Sequence, residues 1–121
     1  MGATLALYQA ALDPRVAFAC ASGLVHSVAT RMAEGTGLGM AEVIPGAAAR
    51  WRIADLLAAA AARGPFLLVS AADDPYSHDA VAEVHEARRR GAGATLEHLH
   101  AAGAHPLDQG RFDAIVEWIS G

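Results

Sequence analysis

One cysteine, no excess of basic residues and no apolar run of membrane-spanning length set the first limits on this chain. Cys20 has no second thiol to pair with, and it sits in the apolar run Val16-Ala17-Phe18-Ala19-Cys20-Ala21, so it reads as a buried strand cysteine and not as a reactive thiol. The formal net charge is -4 and the arginines are scattered, which leaves no basic stripe for nucleic acid. No stretch approaches the roughly twenty apolar residues that a bilayer requires. The N-terminus also lacks a basic segment followed by a hydrophobic run and a cleavage site. The expectation is a soluble, cytoplasmic protein with no nucleic-acid and no membrane partner.

Enough apolar material is present for a core: 54% of the 121 residues are hydrophobic, which suits one domain over residues 1–121. Leu5, Tyr8 and Leu12 recur at helical spacing until Asp13-Pro14 stops them, so residues 3–12 read as a helix. Val16 to Ala21 is short and continuously apolar, as a strand buried on both faces would be. From Leu24 to Arg50 the signal weakens to an irregular, lid-like insert. It holds a possible helix around Val25 to Glu34, then the breakers Gly35-Thr36-Gly37-Leu38-Gly39 and Ile44-Pro45-Gly46.

Trp51 to Ala62 is helical by its alanine and leucine content, and Gly64-Pro65 ends it. The apolar run that starts at Pro65-Phe66 and ends in the double carboxylate Asp73-Asp74 comes next as a second strand and its exit. Ser77 to Arg90 reads as an amphipathic helix with Ala80, Val81, Val84 and Ala87 inward and Glu83, Glu86 and Arg90 toward water. A third strand runs from Ala94 to His100. In a last helix Phe112, Ile115, Val116 and Ile119 form the apolar face. Alternating strands and helices predict an α/β fold: a small parallel sheet of about three strands between two helical layers.

Chemistry concentrates where the second and third strands end. In a parallel sheet the carboxyl ends of neighbouring strands converge on one crevice, so Asp74 from the loop after one and His105 from the loop after the next are placed to meet. A carboxylate that accepts a hydrogen bond from an imidazole fixes its tautomer and stabilises the imidazolium. Asp73 reads as the neighbour that caps or faces water. Gly103-Ala104 lets the histidine loop turn sharply, and Pro106 stiffens its far side.

Other histidines invite simpler readings. His98 and His100 alternate along the third strand and share a face, so with His105 they offer the donors of a three-histidine metal site, the alternative to a metal-free pair. His26, His78 and His85 read as solvated side chains. The missing piece is an oxygen nucleophile. None of Ser22, Ser27, Ser70, Ser77 and Ser120 lies between glycines on a strand-to-helix turn, and Ser22 before Gly23 is the nearest stand-in.

These residues, in this order, resemble the C-terminal half of an α/β-hydrolase, near the dienelactone-hydrolase, acetyl-xylan-esterase and acyl-peptidase-like branches. Met1-Gly2-Ala3-Thr4-Leu5-Ala6-Leu7-Tyr8 looks like the stretch after the serine in an elbow of type G-x-S-M-G-A. Ala11-Leu12-Asp13-Pro14-Arg15-Val16 looks like the link into the family's sixth strand. Ala71-Ala72-Asp73-Asp74-Pro75-Tyr76-Ser77 matches its acid loop, and the family's histidine falls on His105.

The resemblance implies a partial α/β-hydrolase fold with Asp74 and His105 as the acid and base of a catalytic triad. It also implies the backbone amide of Met1 as an oxyanion donor, a serine upstream of this chain, and no cofactor. The substrate class is a small ester or other acyl compound. A non-catalytic interaction module, or a truncated fragment that keeps the half-fold, is the alternative. Because the strand that would carry the serine is missing, the strand at Val16 to Ala21 is expected to present an open edge. The expected partnership is self-association or binding of a complementing N-terminal hydrolase segment.

Overall fold

A computed structural model describes residues 1–25, 27–36 and 43–121. Three parallel strands form one sheet in the order β1-β2-β3, with β1 at Ala19–Ser22, β2 at Phe66–Ala71 and β3 at Leu96–Ala101. Six α-helices accompany them among the described residues: α1 Gly2–Leu12, α2 Val28–Glu34, α3 Ala47–Arg50, α4 Ile53–Arg63, α5 Ala80–Arg89 and α6 Gln109–Ser120. The chain is thus the small α/β protein that its alternating pattern predicts. His26 and the Gly37-Leu38-Gly39 stretch of the insert lie outside the described residues.

β2 is the centre of the molecule and every one of its residues is buried. Phe66 and Leu68 project to one face, where they join Leu96 of β3 in a core closed by Leu7 of α1, Ala54 and Leu57 of α4, and Val84 of α5. Glu97 stands on the other face, in register with Leu67, and accepts a hydrogen bond from the indole nitrogen of Trp118 in α6 at 2.7 Å. Alternation along each strand therefore gives both faces a helical layer.

Several elements sit differently from the sequence expectation. β1 starts at Ala19 and not at Val16, because Val16 is held in a turn by the Asp13 carbonyl and pairing begins only where Ala19 meets Phe66. It is also only partly buried, with Ala21 alone fully covered, since β1 is an edge strand. The covered face of α1 carries Leu7, Ala10 and Ala11, while Leu5 and Leu12 are exposed. Small alanines let α1 approach β1 and α4 closely, so it is the alanine stripe that turns inward.

α2 begins at Val28, where Ser27 caps it by accepting from the amide of Thr30 at 3.0 Å, and Gly35 ends it with φ +68°. α4 begins at Ile53, where the Asp55 carboxylate accepts from the Arg52 amide at 2.8 Å. In α5, Glu83 is buried and Val81 exposed, the reverse of the expected arrangement. Glu83 falls on the same stripe as Ala80, Val84 and Ala87, and its carboxylate accepts the Ala54 amide at 2.8 Å and an Arg52 guanidinium bond, capping the start of α4. In α6 the inward side is Arg111, Ile115 and Trp118, whereas Phe112, Val116 and Ile119 are about half exposed at 49%, 46% and 53%. That face is rotated from the expected one because Arg111 is drawn inward by polar contacts.

Candidate active site

All three strands deliver a residue to one spot at their carboxyl ends. β1 ends at Ser22 and is followed by Gly23, whose amide bonds to the Val69 carbonyl at 3.1 Å. β2 ends at Ala71 and leads to Asp74. β3 ends at Ala101 and leads to His105. Asp74 and His105 meet, with Nδ1 lying 3.0 Å from each carboxylate oxygen.

Local bonding explains why Asp74 faces inward and Asp73 outward. The Ala72 amide bonds to the Ala101 carbonyl at 2.9 Å and the Asp73 amide to the Gly103 carbonyl at 3.0 Å, so the acid and histidine loops are stitched together beyond the sheet. The chain then turns through Asp74, whose amide reaches the Ala71 carbonyl and whose own carbonyl receives the Ser77 amide. Asp73 is left exposed, and Asp74 is sealed.

The Asp74 carboxylate is fully buried but richly satisfied. Oδ1 accepts the Tyr76 amide at 2.9 Å, Oδ2 accepts the Ser77 hydroxyl at 2.8 Å, and both face the imidazole. Burial by itself raises a carboxyl pKa; here the bonds from Tyr76, His105 and Ser77 outweigh it and hold Asp74 below its ordinary value. The pair is consequently set up as a carboxylate next to an imidazole nitrogen that donates to it.

His105 is held on its other sides as well. The Tyr76 ring meets it edge to face at 4.8 Å between centroids. A Cβ built on Gly23 would stand 2.8 Å from Cε1 and 3.2 Å from Nδ1, so only a glycine leaves room for the ring. Gly23 also has φ +74°, a left-handed conformation that L side chains rarely adopt. Nearly half of the His105 side chain remains exposed, and it opens on a cavity of about 260 Å³ lined by Met1, Thr4, Gly23, Leu24, Arg31 and Tyr76. Met1 stands at the head of α1, so the expected amide donor lines the same cavity as the expected base.

Among the described residues no serine lines that cavity. Ser77 donates to Asp74, Ser27 caps α2, Ser120 bonds to the Val116 carbonyl, and Ser70 is fully buried within β2. Ser70 binds the two strand histidines: its Oγ is 2.7 Å from His98 Nε2 and 2.7 Å from His100 Nδ1. The strand histidines thus share a face as expected but are engaged with Ser70, while His105 is engaged with Asp74. Among the described residues no group of three or more metal-binding side chains forms. Burial, reinforced by the neighbouring His100 and Arg88, lowers the His98 pKa to about 4, so His98 is a neutral packing residue at ordinary pH.

Two further readings are corrected by the structure. His78 is not an isolated solvated ring, since its Nδ1 lies 3.2 Å from a Glu34 carboxylate oxygen, tying the acid loop to α2. Cys20 is partly buried and not sealed in the core, although burial still pushes its thiol pKa up. Gly23 and Arg111 shape the site without having been assigned a part in it from the sequence, and Tyr76 and Ser77 had figured only as members of the acid-loop motif. The only local signals were a glycine just after an apolar strand and a hydroxyl three residues after the acid.

An acid-histidine pair thus lies beside a helix N-terminus at the carboxyl edge of the parallel sheet of a small α/β protein. In comparison with known proteins the chain matches no family model, and no curated protein matches it.

Proposed function

We propose that this chain supplies the acid and the base of a serine-dependent hydrolase of the α/β-hydrolase type, acting on carboxylic esters or related acyl bonds. The observation that carries the reading is the 3.0 Å contact of His105 Nδ1 with the buried Asp74 carboxylate, beside a cavity that Met1 also lines. In this scheme Asp74 holds the Nδ1–H tautomer, which leaves Nε2 as the base. A serine hydroxyl at the head of α1, where the resemblance puts it next to Met1, attacks the carbonyl carbon as Nε2 takes its proton. With that serine peptide-bonded to Met1, the Met1 nitrogen is an amide that would donate, together with the α1 N-terminus, to the developing oxyanion. The tetrahedral intermediate collapses when His105 returns the proton to the leaving oxygen, and water repeats the sequence on the acyl-enzyme.

No step calls for a cofactor. A cytoplasmic setting fits a lone, partly buried thiol. Among the described residues no helix is long and apolar enough to cross a membrane.

Association belongs to the same proposal. β1 is an edge strand, and Phe112, Val116 and Ile119 form a half-exposed apolar stripe on α6. Both features favour a second copy or a complementing hydrolase segment over an isolated monomer. The same features favour a purely interaction-based role as the second reading. Hydrolysis of short acyl esters, measured on the protein in the assembly it purifies with, separates the two. Turnover that disappears in His105→Ala and Asp74→Asn supports the hydrolase; turnover indifferent to both, or none at all, leaves the interaction module.

A further inference from the structure

Arg111 is the most deeply buried cation among the described residues, only 3% exposed, and none of its side-chain contacts is with a buried acid. Its Nε donates to Asp108 Oδ2 at 2.6 Å, and that carboxylate is about half exposed at 52%. Its Nη2 donates to the Ala104 carbonyl at 2.9 Å and also to the Pro106 carbonyl. These two carbonyls flank His105 on either side. One guanidinium nitrogen therefore grips the backbone at the residue before and the residue after His105.

Burying a guanidinium is costly, and an apolar side chain of similar size would pack under the loop more cheaply. What an apolar side chain lacks is a rigid planar fork that satisfies several acceptors in fixed geometry. The loop needs such a fastening. Its first half is stitched to the acid loop through the Ala101 and Gly103 carbonyls, but from Ala104 onward the described backbone bonds to the acid loop cease. From there to α6 the main-chain carbonyls of Ala104 and Pro106 bond to Arg111, while the imidazole itself is held by Asp74 and Tyr76.

We infer that Arg111 is a positioning residue, which fixes the His105 loop through the Ala104 and Pro106 carbonyls so that Nδ1 stays within hydrogen-bond reach of Asp74. The inference rests on the proposed acid-base role of Asp74 and His105, but it is testable without turnover. The readout is the Nδ1–H proton of His105, observed by low-temperature NMR of the chain labelled with ¹⁵N-histidine and assigned by its loss in His105→Gln and Asp74→Asn.

In Arg111→Met, with amide dispersion retained, this signal is expected to vanish or to exchange with solvent at least tenfold faster. Arg111→Lys, whose ammonium still reaches a carbonyl, should restore part of the protection. A folded Arg111→Met protein with an unchanged signal overturns the inference. Should Arg111→Met not fold, Asp108→Asn decides: it keeps an oxygen to cap α6 but sets an amide donor against Arg111 Nε, and several-fold faster exchange is expected. Unchanged exchange in that variant overturns the inference equally. Absence of the signal from the unsubstituted chain would instead remove the Asp74–His105 pair itself, and with it the proposed function.

Discussion

Gly23 and His105 stand so close that a single methyl on the glycine would lie 2.8 Å from the imidazole Cε1. The glycine comes from the end of β1 and the histidine from beyond β3, so this contact spans the width of the sheet. A Gly23→Ala substitution is expected to push the ring off Asp74 and, because φ is +74° there, to strain the backbone by about 1–3 kcal/mol. If the proposed hydrolase reading holds, a displacement of that kind should lower ester turnover of the active assembly roughly a hundredfold. A thermal melt and a rate measurement on the same preparation check both parts; an unchanged rate would show that the ring does not need this space.

Asp74 should shape the acid limb of the stability profile. Its pKa is lower in the folded state than the ordinary 3.8, so the unfolded chain binds the proton more readily. The stabilisation is present above about pH 4 and disappears as pH falls through the folded value. Asp74→Asn should flatten that limb. In an active assembly it should also cost roughly four orders of magnitude in turnover, the scale for a triad acid that sets the histidine tautomer. Urea titrations taken downward from about pH 6 through that limb that give parallel losses in both proteins would contradict the assignment.

His98 titrates in the opposite sense from a salt-bridged histidine. Because its folded pKa falls to about 4 from 6.5, the unfolded chain takes up a proton in that interval while the folded chain does not. Stability should therefore decline as pH drops from about 6.5 toward 4, with no further contribution from this group below. His98→Gln should remove this slope and leave the Asp74 limb in place. Chemical denaturation at several pH values across the interval reads it directly.

Glu83 is expected to matter for stability and not for turnover. Its carboxylate satisfies the Ala54 amide inside the core, so Glu83→Ala leaves a buried donor without its acceptor and should cost about 1–3 kcal/mol. Glu83→Gln, which keeps a carbonyl oxygen, should cost less. A smaller loss in Glu83→Ala than in Glu83→Gln would mean that the capping bond contributes nothing.

The open edge and the apolar stripe predict association. Sedimentation of the purified chain should show a dimer or larger species, and charged substitutions at Phe112 and Val116 should shift it toward monomer if α6 takes part. A compact, cooperatively melting monomer would mean that the half-exposed stripe and the β1 edge are tolerated as they stand.

Local sequence was a good guide wherever a property depends on neighbours along the chain. Alternating strand and helix patterns and the breakers at Gly35 and Gly64-Pro65 are decided by short-range sterics and hydrogen bonding. The meeting of Asp74 with His105 was also legible, because parallel strands bring their carboxyl ends to one side. Helix faces were less so. In α1 the covered side is Leu7, Ala10 and Ala11, not Leu5 and Leu12; in α5 the expected Ala80, Val84 and Ala87 are covered, with Glu83 among them in place of Val81; in α6 the covered side includes Arg111. What overrides the hydrophobic pattern is a contact that only the folded chain provides: the close approach of β1, the amide of Ala54 for Glu83, and for Arg111 the Ala104 and Pro106 carbonyls of the turned His105 loop. The amino-acid order determined the elements and the residues capable of proton transfer. Only the tertiary structure decided that Gly23, Ser77 and Arg111 hold them, because hydrogen-bond demand and the space left for a ring arise after the strands are side by side.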